Sequence, residues 1–257
     1  MAFQPRKKKD GLPVEGPLRR LPGQSIRDER DTLLNEQLSD YLLLAVGFCF
    51  LAGWEWFRRW KTLPYGAETM TFAAVLMTGY CGFRISQLRK QLRNLNLAEK
   101  GERRISELLT QLRRKRYVAF DDIVVTGENV DHVLVGPGGI FAIETKTYSI
   151  FGNGCVGVDE AGVLRLANKP ALGNPLDQAK RCAEKVRKLL HDRTRRPYKI
   201  MPVLIFPGWT LKTAKAQTGV VVLNDGTITE FFEGMPPVLS DTEITDIASH
   251  LNQVARS

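Results

Sequence analysis

The run Val130–Lys146, VDHVLVGPGGIFAIETK, leaves the chain few choices. Two apolar segments rich in Val, Ile and Phe flank Gly-Pro-Gly-Gly, a composition suited to a tight loop between antiparallel strands. Side chains alternate faces along a strand, so Ile140, Ala142, Glu144 and Lys146 share one face and Phe141, Ile143 and Thr145 the other. Folding the hairpin about Gly136–Gly139 sets Val135 across from Ile140, and the same register carries Asp131 across from Glu144. Directly opposed residues have Cβ atoms about 4.5–5.5 Å apart. Two carboxylates that close repel each other in a half-buried sheet. A divalent cation between them removes the repulsion, and hard oxygen ligands suit Mg²⁺ or Mn²⁺. The plainer alternative is a strand-start aspartate with a solvated Glu144–Lys146 pair, since charged residues make up 25% of the chain.

Around this hairpin the pattern predicts a helix over 99–114 and strands near 116–125, 130–136 and 139–147. The Gly-rich stretch 152–173 reads as irregular. A helix over 175–191 carries Leu176, Ala179, Ala183, Val186 and Leu190 on one face. Strands near 199–206 and 219–223 follow, then a closing helix over 241–255. The order αβββαβ indicates an α/β fold with a mixed central sheet flanked by helices. Glu102 lies on the stripe of Ile105, Leu109 and Leu112, the helix face that packs on the sheet. It is either a helix-start residue favoured by the dipole or a further member of the carboxylate group.

The N-terminal third has a different character. Residues 1–38 mix Pro, Gly and charges of both signs and read as a disordered tail, too long and polar for the start of a signal peptide. Two apolar runs follow, Tyr41–Phe57 and Thr69–Phe83, joined by the short linker RRWKTLPYG. Over 39–83 they read as a helical hairpin anchoring the chain in a membrane, with Trp54, Trp56, Trp60, Tyr65 and Tyr80 near the borders. A soluble hairpin packed on its own domain is the alternative. Lys and Arg before the first run and after the second favour both termini in the cytoplasm of a bacterial-type inner membrane, against three basic residues in the linker. A connecting helix over 84–98 places Ile85, Leu88, Leu92 and Leu95 on one seam, which offers a homodimer interface or packs on its own domain.

The net charge of +9 is concentrated. Residues 84–116 hold eleven Lys/Arg against three acids and residues 180–199 nine against two, so the rest of the chain is slightly acidic. Arg113, Arg114, Lys115 and Arg116, with Lys180, Arg181, Arg193, Arg195 and Arg196, could hold a phosphate backbone on either side of a cleft. Cations at a helix end are also what the dipole favours. The stretch Arg84–Arg93 suits anionic lipid. Cys49, Cys81, Cys155 and Cys182 show no metal or disulfide spacing and read as small hydrophobes in a reducing compartment. No phosphate-loop motif occurs, and His132 points away from Asp131 as a packed or hydrogen-bonded histidine.

A carboxylate pair with a lysine suits phosphodiester hydrolysis. A divalent cation acidifies water and stabilises charge on the phosphate, while a lysine can orient or deprotonate the attacking water. Gly101-Glu102 on a helix, NVDHVLVGPGGIFAIETK and NPLDQAK (Asn174–Lys180) together resemble the nuclease-related domain, NERD, over about residues 98–210. That domain is similar to the wider PD-(D/E)xK nuclease class, with its restriction-endonuclease-like fold. The resemblance implies that Asp131 and Glu144 bind Mg²⁺ (or Mn²⁺) with the Thr145 carbonyl, that Lys146 is catalytic and Glu102 supportive, and that Gln178 faces the site. Where the family commonly continues Asn-Tyr after the lysine, this chain has KTYS, and the Trp often found in the next segment is missing. The expectation is a membrane-tethered nuclease acting on nucleic acid, DNA before RNA. A non-catalytic nucleic-acid-binding or scaffold protein, or a regulatory appendage of a membrane complex, would keep the same fold.

Overall fold

The computed structural model describes residues 23–61, 67–125, 128–212 and 216–254. The chain divides into two units, Ser25–Glu99 and a second built mainly from Lys100–Ser257.

In the first unit, α1 (Gln24–Thr32) runs through a π-helical stretch, Leu33–Leu38, into α2 (Ser39–Trp60), and α3 (Ala67–Gln111) follows. Residues 24–38 are therefore helical where a disordered tail was expected, and residues 1–22 lie outside the described residues. The expected break between a connecting helix and the next does not exist, because no Pro or helix-ending Gly motif interrupts Ala67–Gln111. Contacts between α2 and the first part of α3 run antiparallel. The Trp56 indole N–H donates to Thr71 Oγ1 at 2.7 Å, the rings of Tyr41 and Tyr80 meet edge-on at 6.4 Å, and Arg84 donates to the Tyr41 hydroxyl at 2.9 Å. Outward faces are apolar, with Leu43, Phe50 and Phe72 among the most exposed side chains. Among the described residues one helix, Gln24–Trp60, is long and apolar enough to cross a membrane. The Ile85–Leu95 seam is not an open surface: Leu88 is buried within the single chain, and Arg27 and Arg30 of α1 bind Glu99 of α3.

The second unit is built on a five-stranded sheet. In order across it, its strands are β1 (Val118–Val125), β2 (Glu128–Gly136), β3 (Gly139–Thr145), β7 (Ile200–Ile205) and β9 (Val221–Leu223). The first three pair antiparallel and the last three parallel, so the sheet is mixed. Val135 does pair with Ile140; the loop is tighter than four residues, since Gly136 and Gly139 already face each other. Ile105, Leu109 and Leu112 of α3 and its short 3-10 extension pack on Leu134, Phe141 and Ile143. On the opposite face, α4 (Pro175–Thr194) and α6 (Asp241–Val254) cover Val133, Val135, Ile140 and Ala142.

The N-terminus of α4 is fixed by three local signals. Asn174 caps it by accepting the Asp177 N–H at 3.3 Å, Pro175 occupies the first turn, and Asp177 adds an acid where the dipole favours one. All five apolar residues of its expected stripe are buried.

The Gly-rich stretch is not irregular. It forms β4 (Cys155–Val158), β5 (Leu164–Leu166) and β6 (Lys169–Pro170), which join β8 (Thr210–Leu211) in a second, four-stranded sheet. Val156, Leu164 and Leu166 pack there with Trp209, Phe206 and Leu176. Strands of two to four residues leave too little alternation to read from sequence. A short helix, α5 (Ile228–Glu233), was likewise not anticipated.

Candidate active site

The site forms where three strands stop pairing regularly. The β2–β3 ladder ends at His132↔Ile143. One step further, the Asp131 carboxylate (Oδ2) accepts the Thr145 N–H at 2.7 Å, taking the role that a main-chain carbonyl of β2 would otherwise fill. On the other side, Asp121↔His132 and Ile123↔Val130 flank an unpaired step containing Asp122 and Asp131. Asp122 is buried there with φ 51°, a left-handed conformation that Asp tolerates better than most residues. β3 meanwhile keeps its parallel partner, with Lys146 N–H donating to Ile205 O at 2.9 Å.

Glu144 is the hub. It is 3% exposed. Its Oε1 accepts from Lys146 Nζ at 2.8 Å and from Gln178 Nε2 at 2.5 Å, and its Oε2 lies 3.4 Å from the Cys182 thiol. A carboxylate this deep requires such partners. Gln178 and Cys182 stand one turn apart on α4, so a single helix face supplies both. The i, i+4 spacing is visible in the sequence, but nothing local distinguishes Cys182 from a small buried hydrophobe.

The charges around Glu144 hold each other away from their ordinary titration ranges. Burial pushes the Asp131 carboxyl well above the usual range, and the negative charges of Glu144 and Glu102 add to that. Burial likewise lifts Glu102 to about 7, helped by the charges of Asp122 and Glu144. For Lys146 burial works downward, but the charge and hydrogen bond of Glu144, then Asp131, outweigh it and raise the ammonium above its usual value. Lys146 is therefore a cation at neutral pH, not a base. Burial raises the Cys182 thiol to about 12, so it stays protonated and donates.

Glu102 reaches this group from α3, 8% exposed. Its position depends on the residue before it. A Cβ on Gly101 would come within 1.9 Å of Thr147 Oγ1 and 2.9 Å of Thr147 Cβ, just beyond Lys146 on the chain. Gly101→Ala is expected to cost about 1–3 kcal/mol of stability, read by urea unfolding. A loss below about 0.5 kcal/mol would mean that the helix and the Thr147 segment are not in contact.

Behind the site, His132 is fully buried with Nδ1 2.7 Å from Asp121 Oδ1, and Asp121 Oδ2 accepts from Ser106 Oγ at 2.9 Å. This Ser-Asp-His chain ties α3, β1 and β2 together beside Asp131.

The basic clusters lie elsewhere than expected. Arg113–Arg116 follow the C-terminal end of α3, eleven residues beyond Glu102, or about 16 Å along a helix. Arg193, Arg195 and Arg196 end α4, fifteen or more residues from Gln178, at least about 22 Å. Both ends lead into β1 and β7 where these lie beside the Gly136–Gly139 turn, the end of the sheet opposite the carboxylates. They do not flank the site. Arg116 binds Asp241, Lys115 approaches Glu233 at 3.5 Å, and Arg196 reaches Asp246 at 4.0 Å. Lys180 and Arg181, exposed in the early turns of α4, are the ones near Gln178.

Among the described residues no group of three His, Cys, Asp or Glu side chains is arranged to hold a metal ion. Two carboxylates remain, Asp131 and Glu144, with the main-chain oxygen of Thr145. That set fits Mg²⁺, which is commonly bound by one or two carboxylates with waters and substrate phosphate completing its shell. Burial, and then the charges of Glu144 and Glu102, disfavour an ionised Asp131, and added positive charge would offset that cost.

Residues 97–207, from within α3 to just past β7, match the family model of the nuclease-related domain, NERD. That stretch is similar to a NERD domain. Comparison with curated proteins and with solved structures finds no match. The matched residues contain Glu102, Asp131, Glu144, Lys146, Gln178 and Cys182, while α5, α6 and β9 lie outside.

Proposed function

We propose that the chain is a metal-dependent nuclease of the PD-(D/E)xK kind, with a restriction-endonuclease-like αβββαβ core, tethered to a membrane by residues 39–83. The observation that carries this reading is the meeting of Lys146 and Gln178 on the buried Glu144, beside an Asp131 whose carboxyl is held above its ordinary range. A purely structural ion pair does not need a second carboxylate against it.

Asp131, Glu144 and the Thr145 carbonyl would hold Mg²⁺ or Mn²⁺, which when bound supplies charge neutralisation, polarisation of a phosphate oxygen and activation of water. The chain's own residues do the rest. Gln178 and the Cys182 thiol fix the Glu144 carboxylate from opposite oxygens. Lys146, held as a cation, attracts the phosphodiester and offsets the charge that grows on its oxygens as the water oxygen bonds to phosphorus and the P–O bond breaks. Glu102, titrating near 7, can hold or release a proton at working pH. Lys180 and Arg181 supply backbone attraction on the site side. A DNA substrate is the working assumption.

The test is cleavage by the full-length chain of supercoiled, linear and single-stranded DNA and of RNA, with Mg²⁺, Mn²⁺ or EDTA. Cleavage with Mg²⁺ that stops in EDTA supports the reading; binding without cleavage in any metal moves it to a non-catalytic nucleic-acid binder.

The tether is supported by the apolar outward faces of α2 and early α3, where Leu43 is 71% and Phe50 70% exposed. Among the described residues, length and composition single out the Gln24–Trp60 helix, so the second crossing rests on its antiparallel pairing with α2. Both termini are then cytoplasmic. Alkaline carbonate washing of membranes should leave the chain in the pellet, and release into the supernatant would contradict the tether.

A further inference from the structure

Asp121 of β1 uses both carboxylate oxygens to join two other elements. Oδ2 accepts from Ser106 Oγ of α3 at 2.9 Å, and Oδ1 lies 2.7 Å from His132 Nδ1 of β2. Ser106 and His132 are buried, and the Asp121 side chain is 19% exposed. His132 Nε2 is buried with no hydrogen-bond partner among the described residues. Among them, Asp121 is therefore the one polar restraint on that ring.

Each end of this chain adjoins a member of the carboxylate group. Ser106 stands one turn beyond Glu102 on α3, at the i, i+4 spacing that puts both on one helix face. His132 directly follows Asp131. It is also where regular pairing of β2 stops on both sides. Asp121↔His132 borders the open step with Asp122 and Asp131, and His132↔Ile143 ends the ladder to β3. One residue away, the Asp131 carboxylate accepts the Thr145 N–H at 2.7 Å.

Apolar packing does not by itself fix this end of α3. Ile105, Leu109 and Leu112 press on Leu134, Phe141 and Ile143, and such contact is non-directional, so it holds the helix on the sheet without setting its slide or rotation. Like charge works against closeness. Burial, then the charges of Glu144 and Glu102, raise the Asp131 carboxyl, and burial, Asp122 and Glu144 raise Glu102, with a smaller addition from Asp121. An acid at position 121 adds to this crowding. What it returns is two directional bonds, and satisfied polar networks of this kind hold a core in one arrangement.

We propose that Asp121 is a positioning residue for the carboxylate group: by holding Ser106 and His132 on its two oxygens, it keeps α3 and β2 at the separation where Asp131 and Glu144 take a divalent cation with Glu102 beside them. The proposal rests on the nuclease reading for the cation; the clamp itself is made of contacts that need none.

The experiment uses the full-length chain and its Ser106→Ala, Asp121→Ala and Asp121→Asn variants. Mg²⁺ binding is measured by calorimetry, and hydrogen exchange of the Thr145 amide is followed in EDTA relative to amides of the β2–β3 ladder. Each Ala variant is expected to weaken Mg²⁺ binding about 10-fold, the low end for an outer residue that acts through a ligand, and to speed exchange at Thr145 selectively. Ser106→Ala removes only the α3 end and installs a better helix former, which keeps the test valid if Asp121→Ala unfolds. Asn can accept on Oδ1 and donate from Nδ2, and a hydroxyl or a neutral imidazole nitrogen can take either role, so Asp121→Asn is expected to restore both readouts. Lower stability with Mg²⁺ affinity and relative Thr145 exchange unchanged overturns the proposal and leaves a merely structural bond. So does an Asp121→Asn variant as impaired as Asp121→Ala. If the parent binds no Mg²⁺ while the Ala variants still speed Thr145 exchange, the metal reading fails and the clamp stands. If the parent binds Mg²⁺ and the variants bind it equally, the clamp fails and the metal reading stands.

Discussion

On the proposed nuclease reading, Lys146→Ala is expected to lower the rate of Mg²⁺-dependent cleavage by about 10³-fold, within the range for removing a positioned charge or proton donor from a transition state. The loss falls on kcat more than on KM, because the phosphate charge that Lys146 offsets grows only as the bond breaks. Lys146→Arg keeps the charge but brings a planar, bulkier fork into a space where Nζ already lies 2.8 Å from Glu144, so it recovers no more than part of the rate. Single-turnover assays on saturating substrate separate these outcomes. A Lys146→Ala enzyme that keeps its kcat would remove Lys146 from the chemistry and leave it as a structural partner of Glu144.

Glu102→Gln has the second large effect, and on stability. The Glu102 carboxyl titrates near 7 in the folded chain, against an ordinary 4.5. Between these values the folded state holds a proton that the unfolded state has released, so its stability falls as pH rises through that window. The contribution is fully present below about pH 4.5 and lost above about pH 7. A shift of this size corresponds to about 3 kcal/mol. Glu102→Gln is neutral at every pH, so in EDTA it should exceed the parent by about 3 kcal/mol at pH 8 and approach it below pH 4.5. Urea unfolding at both pH values measures the gap. A gap that does not change with pH would mean that Glu102 is not buried among like charges.

The β2–β3 hairpin was legible because it combines a turn signal with two apolar runs, and α4 because its apolar stripe is local. The pairing of Val135 with Ile140 followed from the turn alone. Other features depend on groups far apart in sequence. Asp122 adopts its left-handed φ opposite Asp131 only because two strands open together, and no residue pattern announces that. Cys182 became a partner of Glu144 through the packing of α4 on β3. The basic clusters look like backbone-binding arms in the sequence, but helix direction carries both to the far end of the sheet. The second sheet escaped because strands as short as β6 and β8 show no alternation of their own, and the core beneath β4 and β5 gathers Trp209 and Leu176 from other parts of the chain.

The most direct measurement of the central claim, that Asp131 and Glu144 are poised for one divalent cation, is calorimetric titration of the full-length chain with Mg²⁺ beside its Asp131→Asn variant. Asn can still accept the Thr145 N–H, so the local fold is preserved while one charge is removed. The account predicts one Mg²⁺ site in the parent and its loss in the variant, with thermal unfolding of the variant intact. Equal Mg²⁺ affinity in both chains would contradict it and return the Asp131, Glu144 and Lys146 group to a structural role.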